Sequence, residues 1–83
     1  PNPFNPTTTI EFYTDRSVHV NLHIFNILGQ RIRTLMDAPL EIGKHSVVWD
    51  GRDDGGNDVA SGMYFYRIQA GSNVQTRKMV KLK

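Results

Sequence analysis

From Val18 to Ile24 the chain alternates without a fault. Val18, Val20, Leu22 and Ile24 are apolar, and His19, Asn21 and His23 between them are polar. Side chains point to opposite sides of a strand with a period of two, so this run buries one face and wets the other. Ile27-Leu28-Gly29-Gln30 then supplies a turn, with a glycine suited to positive φ. Arg31 to Met36 reads as the partner strand of a hairpin. Ile32, Leu35 and Met36 also fit one face of a short helix, and the strand reading is preferred.

The same period recurs on both sides. Thr8, Ile10 and Phe12 alternate with Thr9, Glu11 and Tyr13. After an interruption at Asp37-Ala-Pro-Leu40, Gly43 opens a stretch in which His45, Val47 and Trp49 alternate with Ser46 and Val48. Gly62 to Gln69 is rich in the aromatic and β-branched residues that strands favour. Ala70-Gly71-Ser72-Asn73 turns it into a last strand, Val74 to Leu82. Six or seven short strands with turn signals between them predict an all-β, immunoglobulin-like antiparallel sandwich of about seven strands. No cysteine is present, so the Cys–Trp–Cys framework of antibody domains is missing, and Trp49 is the natural core anchor.

Two segments predict irregular structure. Pro1 to Thr7 holds three prolines and forms a lead-in before a sandwich over 8–83. Asp50 to Gly56 packs three Asp and three Gly into seven residues and must be a loop. The opening on Pro1, without Met or signal peptide, suits a piece of a longer polypeptide.

Composition excludes several functions. Ten basic against eight acidic residues give a net charge of +2, too little for a nucleic-acid surface. No run approaches the ~20 apolar residues of a membrane-spanning helix. His19 and His23 share a strand face but stand roughly 13 Å apart, too far for one metal ion. No nucleophile elbow or phosphate loop is present, so no enzyme is expected. Asp50, Asp53, Asp54, Asn57 and Asp58 offer calcium-type oxygen ligands, though tight turns demand the same residues. Met63 and Phe65 share one face of their strand, and Tyr64 and Tyr66 the other. One pair should be core; the Tyr side chains are expected to flank it, where they could serve a carbohydrate-binding module. Arg77, Lys78, Lys81 and Lys83 mark an edge strand, guarded against aggregation or open to pairing with another protein.

Five pieces taken together resemble the C-terminal sorting domains of the bacterial type IX secretion system of Bacteroidetes and relatives. They are Asn2-Pro-Phe-Asn-Pro-Thr-Thr-Thr-Ile10, Phe25-Asn-Ile-Leu-Gly-Gln30, Gly43 with Val48-Trp-Asp-Gly51, Ser61-Gly-Met-Tyr-Phe65, and Lys78-Met-Val-Lys-Leu-Lys83. The resemblance implies a monomeric, non-catalytic tag on an N-terminal cargo, taken through the periplasm to the cell surface or medium. Its partners would be an outer-membrane translocon and a sortase-like cysteine peptidase that removes it. The recognition positions it implies are Gly43, Trp49, Asp50, Gly51, Gly62, Tyr64, Lys78, Met79, Val80, Lys81, Leu82 and Lys83. The central stretch is also similar to the Ig-like domain of flagellar hook-capping proteins, through its Trp-Asp-Gly and Gly-x-Tyr features. An accessory carbohydrate-binding or structural Ig-like module of a secreted polysaccharide-degrading enzyme is the alternative expectation.

Overall fold

The computed structural model describes residues 7–82, so the Pro-rich stretch 1–6 and Lys83 lie outside the described residues. Six strands follow in order: β1 (Thr8–Thr14), β2 (Val18–Phe25), β3 (Arg31–Leu40), β4 (Gly43–Trp49), β5 (Gly62–Ala70) and β6 (Asn73–Lys81). They form two antiparallel sheets, β1-β4 and β3-β2-β5-β6. Among the described residues the strand count is therefore six rather than about seven. The two strands of the small sheet are not neighbours in sequence, and the chain crosses between sheets after β1, β3 and β4.

The core lies between the sheets, where the period-two faces meet. Ile10, Val20, Leu22, Ile24, Trp49, Tyr64 and Ile68 are buried. Val20, Leu22 and Ile24 come from the one unbroken alternation in the sequence, and all three lose essentially their whole surface to water. Burying a side chain of this kind contributes about 1.5–3 kcal/mol relative to leaving it exposed.

β3 is a strand, as preferred over a short helix, but it runs on through Asp37-Ala-Pro-Leu40 instead of stopping at Met36. Pro39 pairs with His19 at the outer edge of the sheet. A missing N–H costs nothing where no further strand waits for it. The helix-like spacing of Ile32, Leu35 and Met36 has a local cause. Register shifts between Leu22 and His23 and between Ile24 and Phe25 insert extra residues into β3. Each bulge breaks the alternation once, so all three side chains pack against the core from a strand.

The β2–β3 hairpin closes on Asn26, whose carboxamide oxygen accepts from the Leu28 and Gln30 amides at 3.0 Å each. Gly29 takes φ +80° in that turn.

Candidate functional site: a clasped loop and an open sheet face

Two regions gather the chemistry-bearing side chains: the loop between β4 and β5, and the outer face of the four-stranded sheet.

The loop begins at the core. The Trp49 indole is 1% exposed and meets the Tyr64 ring edge-on, with centroids 5.4 Å apart. Each ring carries a polar handle that must find a partner once buried. Trp49 Nε1 donates to the Arg52 carbonyl at 2.9 Å, and the Tyr64 hydroxyl donates to the Ala60 carbonyl at 2.6 Å. The two acceptors lie near opposite ends of the loop, so the aromatic pair fixes both.

The acidic residues organise the middle. Asp53 caps a turn, its carboxylate accepting from the Gly55 and Asn57 amides at 2.9 and 3.0 Å. Asp50 accepts from the Arg33 guanidinium at 2.8 Å and from the Arg52 amide at 3.1 Å. Burial pushes the Asp50 carboxyl upward, yet the Arg33 and Arg52 hydrogen bonds outweigh it and hold the group below the usual carboxylate range. The Asp54 amide donates to the Ile32 carbonyl, and its carboxylate accepts from the Thr34 amide. The loop thus covers the bulged edge of β3, an edge that would otherwise offer open hydrogen-bonding groups. Asp58 faces Arg52 at 3.9 Å. Among the described residues no three carboxylate, imidazole or thiol side chains converge as a metal site.

Lys81 closes the loop from the far end of the chain. β6 is an edge strand, as the run of cations suggested, yet Lys81 faces inward and is only 6% exposed. Its stem crosses Gly51, and its ammonium donates to the Val59 carbonyl at 2.8 Å. Gly51 sits at φ +77°, and a Cβ there would lie 2.5 Å from Lys81 Cε. The left-handed conformation favours glycine, and any Cβ there would push the Lys81 stem aside.

The other sequence-derived positions scatter. Gly43 and Gly62 begin β4 and β5, at φ +134° and +151°. Met79 packs against the core from β6, whereas Lys78, Val80 and Leu82 are exposed. The three imidazoles never meet. His19 contacts Asp37 at 2.6 Å, His23 contacts Thr34 at 3.1 Å, and His45 contacts Thr14 and the Glu41 carbonyl in the small sheet.

The aromatic strand β5 presents the face opposite to the expected one. Tyr64 is buried and Tyr66 half-buried on the core side, because a backbone acceptor awaits the Tyr64 hydroxyl there. Phe65 and Met63 face outward with β2's outer residues. Pairing register sets four side chains in one row across the sheet: Arg31 opposite Phe25, Phe25 opposite Phe65, Phe65 opposite Lys78. The next row is Thr34, His23, Arg67 and Thr76. Arg67 lies over the Phe25 ring, 4.8 Å from its centroid, and His23 meets Phe25 edge-on. Burial, then the charge of Arg31, lowers the His23 imidazole from its ordinary pKa. Met63 and Val80, 42% and 59% exposed, extend the apolar centre toward the end of the sheet. Sequence reasoning did not assemble this row, since its four members come from four strands and only the register aligns them.

A cleft of about 640 Å³ opens on the remaining side, between β1 and the β5–β6 hairpin. Its lining carries the charges Glu11, Asp15, Arg16 and Arg77, of which Arg16 and Asp15 stand 3.7 Å apart.

The two packed antiparallel sheets define an Ig-like β-sandwich module. The chain belongs to the FlgD Ig-like domain family, whose model matches residues 3–73. The crystal structure of FLGD from P. aeruginosa superposes with a TM-score of 0.73 at 21% identity, over 92% of this chain and 60% of that chain. This chain therefore corresponds to less than two thirds of that protein's length. No curated protein sequence matches significantly.

These findings correct the sorting-domain expectation. The family match starts within the Asn-Pro-Phe-Asn-Pro opening that counted toward the sorting-domain resemblance. The shared motifs build the fold: Trp49, Gly51 and Tyr64 are buried parts of the core and loop. The type IX translocon, the sortase-like peptidase and the cargo relationship fall with that expectation. So does the carbohydrate-binding alternative, whose stacking surface would have needed Tyr64 in solvent. The family is a structural one.

Proposed function

We propose that this chain is the Ig-like module of a flagellar hook-capping type of protein, and that it acts without catalysis by presenting rigid surfaces to other proteins of an assembly. The observation that carries this reading is the family match over residues 3–73, joined to a sandwich that follows the P. aeruginosa FLGD fold along nearly all of its length. The design of the molecule supports it. Buried polar side-chain atoms are all partnered among the described residues, and both Trp49 and Tyr64 are tied to backbone. A frame so closed resists deformation, as a docking scaffold must.

Deleting the segment from its gene in the source organism tests the reading. Cells should fail to assemble hooks when viewed by electron microscopy, and the parent gene should restore them. Normal hooks in the deletion strain would reject it.

A further inference from the structure

We propose that the outer face of the four-stranded sheet is a docking site for an extended acidic segment of a partner protein, with an apolar side chain held between two carboxylates in the pattern Glu-x-Leu-x-Glu. The inference rests on the preceding reading for its assumption that the partner is a protein. The site is the row Arg31–Phe25–Phe65–Lys78, a cation at each end and two aromatic rings between.

Charge selects the occupant. Arg31, Arg67 and Lys78 contribute three positive charges to the first two rows, and all three are exposed. The nearest carboxylate on the β3 side, Asp54, is already held by the Thr34 amide at 3.0 Å. Asp37 stands one row further along, opposite Asn21, and contacts His19 at 2.6 Å. Both carboxylates keep their charge in these bonds, but Arg33 stands 3.9 Å from Asp54 and the three exposed cations outnumber the two carboxylates, so the balance is positive and a complementary surface is acidic. The stretch 1–6 contains no carboxylate and cannot supply it.

Spacing selects the shape. Three inter-strand steps of about 4.8 Å place the two end cations roughly 14 Å apart at the backbone. Residues i and i+4 of an extended segment are separated by about 13 Å and point to the same side. A segment crossing the strands at right angles sets one carboxylate over Arg31, the next over Lys78, and the apolar residue between them over Phe25 and Phe65.

The rings favour protein over nucleic acid. Both Phe side chains are only half-exposed, and the face of Phe25 is already covered by Arg67. Base stacking needs an open aromatic face. Met63 and Val80 widen the apolar centre beside the rings, which suits an aliphatic side chain.

The test is a titration of the isotopically labelled chain with the capped peptide Thr-Glu-Thr-Leu-Thr-Glu-Thr, followed by amide chemical shifts. Shifts should cluster at Phe25, Arg31, Phe65, Arg67 and Lys78. Lys78→Glu, Arg31→Glu or a peptide with Gln for both Glu should each weaken binding by about tenfold, an effect of the order expected when an interfacial charge pair is lost. Should either variant lose spectral dispersion, the Gln peptide on the parent chain makes the same discrimination. No shifts at millimolar peptide, shifts confined to the β1–β6 cleft, or equal binding of the Gln peptide would overturn the proposal. Tighter binding of oligothymidylate or of phosphatidylglycerol vesicles at the same row would overturn it too, in favour of a general anion surface. The outcome is independent of the hook-assembly experiment: peptide binding with normal hooks in the deletion strain defeats only the functional reading, and absent binding with failed hooks defeats only this one.

Discussion

An aromatic pair lies against each face of the four-stranded sheet, the inner one shared with the small sheet through Trp49, and the two pairs are held in opposite ways. Inside, Trp49 and Tyr64 are sealed from water, and their polar atoms end on backbone carbonyls of the β4–β5 loop. Outside, Phe25 and Phe65 have no polar handle, and a guanidinium lies over one of them. The inner rings are structural because, sealed from water, their polar atoms tie the loop to the core near both of its ends. Those outside are half-solvated, held by neighbours that could equally face a partner. An aromatic residue in a strand is thus not informative by itself; what its polar atom can reach decides which side it takes.

The contrast is broken most directly by truncating one ring on each face. Trp49→Ala should cost about 3–5 kcal/mol and leave little folded chain at room temperature, because it opens a large cavity in the core and removes one of the two donors, Trp49 and Arg33, on the Arg52 carbonyl. Phe65→Ala should cost roughly 1 kcal/mol or less, the scale of a cross-strand pair. Chemical denaturation of both variants measures the gap, and equal losses would erase the distinction.

Gly51→Ala probes the seam between loop and core. A left-handed conformation and displacement of Lys81 together should cost about 1–3 kcal/mol. The loss should be smaller when Lys81 is already Ala, since the clash is then gone. Identical losses in both backgrounds would show that Lys81 does not press on Gly51.

The smallest effect belongs to the outer face. Burial, then Arg31, keeps the folded His23 imidazole below its ordinary pKa of 6.5. The unfolded chain then takes up the proton first as pH falls. Its contribution to stability is complete above about pH 6.5, declines below that value, and levels off beneath the folded pKa. His23→Asn should flatten the decline that sets in below about pH 6.5. A slope unchanged by the substitution would place the titration elsewhere.

Much of the frame was legible from residues alone. The faultless alternation at Val18–Ile24 identified a strand and its buried face, and the Asp/Gly run identified a loop. Three things were not legible, each for a physical reason. The continuation of β3 beyond Met36 hid behind Pro39, which breaks a strand only where a neighbour needs its N–H. The inward turn of Lys81 depended on a glycine 30 positions earlier leaving room for its stem. The outer row of cations and rings required the register of four strands, which no single segment encodes. The Tyr64/Phe65 choice was half legible: alternation separated the two faces, but only the Ala60 carbonyl decided which was inside.

The contact between Lys81 and Val59 sets a timetable for biosynthesis. The anchoring ammonium sits on the last of the six strands, more than twenty positions beyond the carbonyl it holds. At ribosomal speeds of about 5–20 residues per second, the β4–β5 segment must wait on the order of one to several seconds for its latch. During that interval the nascent chain has its tryptophan but not its clasp. A chaperone or protease would find its opening there.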